Sequence, residues 1–225
     1  MRKVVMLLGI IGVISLISLA SPASAAILNG NFETPDIAGN YVTYTTSPSG
    51  FGWVISNTGT GIYGPYGVDL INRLWSGVSG TTNLDGCDQS VDIDYGSMLS
   101  QSFSTIPGQL YELSFWYAHN TGTQSEDPSS TGYVKIIGSS TLLDVTLIHN
   151  VPSSYGNMNF LNYTNKFIAD SSNTILSFQG DSGNNVYGFV VDDVKVYPVP
   201  EPASMALLGM GLLGAIGAGF RRKRA

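Results

Sequence analysis

An all-β sandwich is the fold class this sequence predicts, and three observations predict it. Along residues 26–198, short segments rich in Val, Ile, Tyr and Phe alternate with clusters of Gly, Ser, Asn and Thr, the pattern of strands separated by turns. No long stretch of that body holds a helical period. Cys87 is the only cysteine and cannot form an intrachain bridge, so stability must come from a buried core, with or without help from a metal. Many short strands in one domain of ordinary size imply a sandwich or jelly roll rather than a helical or α/β fold.

The expected strands begin with 67–71 (GVDLI), 89–95 (QSVDIDY) and 97–105 (SMLSQSFST). The clearest is 109–118 (QLYELSFWYA), where Tyr111, Leu113, Phe115 and Tyr117 fall on one face and Glu112, Ser114 and Trp116 on the other. The turn Pro107-Gly108 sets its start. Segments 132–137 (GYVKII), 141–148 (TLLDVTLI), 159–169 (NFLNYTNKFIA), 173–180 (NTILSFQG) and 187–197 (YGFVVDDVKVY) complete the set. Residues 56–67 and 120–132 read as long polar loops, and no repeat of fixed period or linker divides the body. The composition changes at Pro198 and Pro200, where the domain should end.

Both ends read as addresses. Arg2 and Lys3 precede an apolar run from Val4 to Ala20, and Ala23-Ser24-Ala25 offers small residues for cleavage, so residues 1–25 form a signal peptide. At the other end, Val199, Pro200, Glu201 and Pro202 precede an apolar segment, 203–220, and a basic tail, 221–224. Eighteen residues at 1.5 Å rise give about 27 Å, enough to cross a hydrocarbon core as a helix with the cations left cytoplasmic. Removing the two ends leaves Arg73, Lys135, Lys166 and Lys195 against fifteen acidic residues. So acidic a body repels phosphate backbones and disfavours nucleic acid as a partner. It is compatible with cations and with solubility outside the cell.

Five stretches in order, 29–33 (NGNFE), 67–71 with Trp75, 89–94 (QSVDID), 99–115 and 187–196 (YGFVVDDVKV), resemble the choice-of-anchor C family. That family is related to a plant cell-wall family and similar to secreted carbohydrate-binding modules. The resemblance implies a galactose-binding-like jelly-roll β-sandwich. Residues 199–225 resemble the PEP-CTERM sorting signal of Gram-negative bacteria that make exopolysaccharide. This implies an exosortase as partner, an inner-membrane intermediate, and then a place at the cell surface or in the extracellular matrix. A permanent single-pass anchor is the alternative.

The family likeness further implies a structural Ca²⁺ held by Glu33 and Asp192. Alternation in 190–196 sets Asp192 on the face of Val190, Val194 and Val196, where a carboxylate needs a partner. Backbone N–H groups could serve Asp192 instead, leaving Glu33 solvated. Asp193 points the other way. Asp85, Asp88, Asp92 and Asp94 form a second acidic group without the spacing of an EF-hand loop, and are read as solvated, turn-forming residues.

A carbohydrate site pairs an aromatic platform with amides and carboxylates. Trp116, Glu112, His119 and Asn120 are candidates, with Trp75 and Tyr63 on neighbouring loops. Each aromatic competes with a core role, and His119 with that of a surface or hydrogen-bonded histidine. Cys87 reads as a small, partly buried residue, with a reactive or intermolecular thiol as the alternative. No catalytic motif is present, and Glu112, Glu126 and Asp127 show no spacing suited to glycoside hydrolysis. The expectation is a non-catalytic polysaccharide-binding protein. An adhesive surface protein without a glycan ligand is the alternative, and a glycan-active hydrolase ranks behind both.

Overall fold

Strand alternation determines which side chains each sheet sends inward. The computed structural model describes residues 27–61, 64–72, 89–121, 129–154, 157–181 and 188–200. Its strands are β1 (Tyr41–Tyr44), β2 (Val54–Ser56), β3 (Gly59–Gly61), β4 (Gly64–Tyr66), β5 (Val68–Asn72), β6 (Gln89–Ile93) and β7 (Met98–Ser104). They continue with β8 (Leu110–His119), β9 (Ser130–Ile137), β10 (Thr141–His149), β11 (Leu161–Ile168), β12 (Asn173–Gly180) and β13 (Phe189–Pro198). A six-stranded sheet runs β1-β5-β6-β13-β8-β11, a five-stranded sheet runs β10-β9-β12-β7-β2, and β3-β4 is a separate hairpin. The pairings within both sheets are antiparallel. The expected all-β sandwich is the fold.

The core lies between the sheets. From the larger sheet come Val68, Leu70, Val91, Ile93, Tyr111, Leu113 and Phe115, all buried. Leu99, Val134, Ile136, Leu176 and Phe178 meet them from the smaller. Phe115 and Phe178 join the layers edge-to-face, with ring centroids 5.0 Å apart. Burial of each such side chain contributes about 1.5–3 kcal/mol.

Strands β1 and β2 were not among the expected set, and two further stretches depart from the expected pattern. Residues 56–67 are not all loop: they hold the β3-β4 hairpin, and Tyr66 packs against Tyr95 at 5.1 Å. Glycines and a proline give that hairpin no apolar alternation by which to announce itself. In β13 the register shifts between Asp192 and Lys195, and Asp193 adopts a left-handed φ of 50°. The bulge changes the parity of the strand. Phe189 and Val191 face the main core before it, Val194 and Val196 after it. Val190 packs instead in a second cluster, with Ile71, Ala118, Met158 and Phe160. Asp192 therefore does not share a face with Val194 and Val196 as simple alternation predicts, although it is fully buried.

The NGNFE segment is held by side-chain amides. Gln89 accepts from the Ile37 N–H at 2.7 Å and donates to the Phe32 and Pro35 carbonyls at 2.8 and 3.0 Å. Asn29 donates to Thr34 O and Phe51 O and accepts from the Thr34 N–H. Gly30 O accepts from the Val194 N–H at 2.8 Å, and a Cβ at Gly30 would stand 2.1 Å from Val194 O, so only glycine fits beside the bulge. Among the described residues no helix is long and apolar enough to cross a membrane. The expected signal peptide and the segment 203–220 lie outside the described residues.

Gln89→Ala leaves three backbone groups, two of them buried, without their partner. It is expected to lower the unfolding free energy by about 2–4 kcal/mol, measured by urea denaturation with the m-value unchanged.

Candidate functional site

Three carboxylates converge on the outer face of the six-stranded sheet. In β5 and β6, Val68, Leu70, Val91 and Ile93 turn to the core, so alternation sends Asp69 and Asp92 to the other side. Register sets Thr43, Asp69, Asp92, Val190 and Ala118 in one row across β1, β5, β6, β13 and β8. Asp94 follows just beyond β6, where its N–H donates to Gly67 O at 3.1 Å. One oxygen from each of Asp69, Asp92 and Asp94 lies within 4.8 Å of the others.

Asp92 is 0% exposed and Asp94 6%. The Oδ1 atoms of all three aspartates are buried and accept no hydrogen bond among the described residues. Asn120 donates to Asp92 Oδ2 at 2.5 Å. Burial, and then repulsion from Asp69, pushes the Asp92 carboxyl up to about 7, with Asn120 and the nearby backbone N–H groups of Gly188 and Ile93 holding it down in part. Burial, then Asp92 and Asp69, raises Asp94 well above the carboxylate range. Burial also raises Asp69, against a hydrogen bond from Thr43. These are the marks of negative charges gathered without a counter-charge. An all-oxygen set of this kind can hold a metal ion.

The reading of Asp92 and Asp94 as solvated turn residues is thus corrected, because the outer face of this sheet is covered where they lie. Asp69 was legible only as part of a strand. Its role appears when β5 and β6 pair and set it opposite Asp92. Asp85 and Asp88 lie outside the described residues, as do Trp75, Tyr63, Cys87, Glu126, Asp127, Glu201 and Pro202.

The other expected site residues separate into four places. Trp116 is half-buried on the outer face and packs on the second apolar cluster, with Asp192 and Asn162 opposite it on the flanking strands. Asn120 belongs with the aspartates. Glu112 sits toward the far end of β8, paired with Lys166 at 3.5 Å and accepting from the Tyr197 hydroxyl, which lowers its pKa. His119 is buried, with its Nδ1 2.7 Å from His149 Nδ1 of the other sheet. His149 Nε2 lies 3.0 Å from Asn159 O, and burial lowers the His149 pKa.

Glu33 and Asp192 approach the same sector from different elements. Glu33 Oε1 accepts from the Gln89 N–H at 2.8 Å. Asp192 Oδ1 accepts from the Asp193 N–H at 2.6 Å. Asp192 directly follows Val191, which pairs with Val91 of β6. Val199 donates to Leu110 O, and Gln109 donates to Val199 O, so the chain is still tied to the sandwich where the expected sorting motif begins at Val199 and Pro200.

Fold and sequence together define a class: an exported, exosortase-processed surface protein with an all-β sandwich body, because residues 198–223 match the PEP-CTERM protein-sorting motif. Residues 25–197 match the family described as "Protein of unknown function (DUF642)". The chain belongs to that family. Among solved structures, CBM4 is similar over 77% of this chain and 100% of its own length, at 17% identity and a TM-score of 0.41. TmCBM61, solved in complex with β-1,4-galactotriose, is similar over 76% and 96%, at 17% identity and a TM-score of 0.43. The C-terminal domain of EclA, a sugar-binding protein, is similar over 47% and 69%, at 14% identity and a TM-score of 0.34. These likenesses concern the fold alone. No curated protein matches the chain.

A carboxyl whose folded pKa lies above its unfolded value binds more protons folded than unfolded between the two. For Asp92 those values are about 7 and 3.8, so its contribution to the stability of metal-free protein falls as pH rises through that interval. Chelator-treated protein should lose urea resistance between about pH 4 and 7, and Asp92→Asn should flatten the decline.

Proposed function

We propose that this protein is a non-catalytic polysaccharide-binding protein of the cell surface or its exopolysaccharide matrix, with the outer face of the six-stranded sheet as the binding surface. The observation that carries this reading is Trp116. Its indole is half-buried on that face, with Asn162 and Asp192 opposite it on the strands to either side. A flat aromatic surface flanked by the exposed amide of Asn162 suits a sugar ring, whose apolar face stacks while its hydroxyls find partners. The sorting motif supports the setting, since it directs the body to the outside of the cell.

A structural calcium shared by Glu33 and Asp192 belongs to the same proposal. Two carboxylates reach the start of β6, one on a loop and one on a bulge, and the Val194 N–H to Gly30 O bond ties loop and bulge together. Their remaining coordination would come from backbone carbonyls, and each already accepts one backbone N–H.

The test is retention of the detergent-solubilised full chain on immobilised polysaccharides, the host's own exopolysaccharide included. Trp116→Ala is expected to weaken retention about tenfold or more with the thermal midpoint little changed. Failure of the wild type to bind any polysaccharide would sink the reading and leave an adhesive surface protein. Incubation with chromogenic glycosides is expected to release no product.

A further inference from the structure

We propose that Asp69, Asp92 and Asp94 form a binding site for a hard divalent cation of the calcium class, separate from the pair Glu33 and Asp192. The site goes beyond glycan binding and does not depend on it. Convergence of acidic groups alone would not carry this, since such clusters are common on protein surfaces. Here Asp92 and Asp94 are buried and Asp69 is partly so, and the buried Oδ1 atoms of all three have no hydrogen-bond donor among the described residues. Buried polar atoms are almost always partnered, so three orphaned oxygens in one place call for a positive centre.

No basic side chain among the described residues supplies it. Lys135 pairs with Asp144, Lys166 with Glu112 and Lys195 with Asp193. The two histidines bond each other through their Nδ1 atoms. Asn120 neutralises nothing: it donates one hydrogen bond to Asp92 Oδ2. The backbone also makes room. A Cβ at Gly188 would stand 2.6 Å from Asp92 Oδ1 and 2.3 Å from Ile93 O, so the strand entering β13 can run this close to the carboxylate only as glycine.

The chemistry of the set selects the ion. All three groups offer oxygen and none offers nitrogen or sulfur, which disfavours zinc and softer metals. Calcium binds oxygens at about 2.3–2.6 Å, so ligands across the ion are at most about 4.6–5.2 Å apart. The oxygens here lie within 4.8 Å of one another, inside that span. Magnesium sheds its water reluctantly and is seldom enclosed by protein groups alone, whereas calcium accepts mixed carboxylate and carbonyl cages.

The experiment titrates chelator-treated, detergent-solubilised full chain with CaCl₂, and in parallel with MgCl₂, reading heat of binding and thermal midpoint. Calcium at about 100-fold over its dissociation constant is expected to raise the midpoint by roughly 5–10 °C. Asp92→Asn and Asp94→Asn should each weaken this binding by about 100-fold, while Glu33→Gln leaves it in place. Calcium binding that survives both aspartate substitutions overturns the proposal, as does a wild type that binds no calcium. Should either variant fail to fold, wild-type crystals soaked in CaCl₂ decide. An anomalous peak between the three aspartates supports the site, and a peak beside Glu33 and Asp192 alone, or no peak, overturns it.

Discussion

Two sheets enclose a core only if every strand between them keeps one face apolar, and β13 keeps it by breaking its own alternation. The left-handed residue Asp193 lets Phe189 and Val191 serve the core on one side of the bulge, and Val194 and Val196 on the other. Without it, half of β13 would turn its valines away from Phe115 and Phe178. The same bulge presents the Val194 N–H to Gly30 O, so the NGNFE loop closes over the sheet at this point. Gln89 then locks the loop with four contacts from one residue: three through its amide and one from its N–H to Glu33. A local change in backbone hand thus propagates into the core, the loop and the outer face together.

The outer face pays an electrostatic penalty that the core does not. Asp69 and Asp92 stand directly opposite each other in register, an arrangement that destabilises a sheet when both are charged. In a poorly solvated place their repulsion is stronger than at an open surface. Either protons or a cation must relieve it. The raised carboxyl of Asp92 describes the first response, and the orphaned oxygens describe a geometry ready for the second. Such a cluster is costly to keep for stability alone.

Address and body divide the work of the chain. The PEP-CTERM match at 198–223 says how the protein is sorted, and it follows directly on the DUF642 match at 25–197. The hydrogen bonds between Val199, Leu110 and Gln109 show the last part of the body still attached to the sandwich as the sorting segment begins. Trp116 and the aspartate cluster share the outer face of one sheet, the first over the Ile71–Val190 apolar patch and the second at the row of Asp92. A cation there would lie near a surface suited to sugar without being part of it.

The amino-acid sequence by itself determined the strand segments from β5 onward, the core face of β8 and the C-terminal sorting segment. Each of these is a local property: alternation along one strand, a turn dipeptide, or an apolar run with charged flanks. β1 to β4 were not legible, because three or four residues rich in glycine or exposed side chains carry too little periodic signal. The acidic site was half visible. Asp92 and Asp94 were noted within an acidic group, but their burial, and the arrival of Asp69 beside them, depend on how β5 and β6 register and on what covers the sheet. His119 continues the core face of Leu113, Phe115 and Tyr117 by alternation, but only the packing of the two sheets brought His149 to it. Tertiary structure decided these because register and bulges join residues far apart in the chain, and no local period records which of two faces will meet which neighbour.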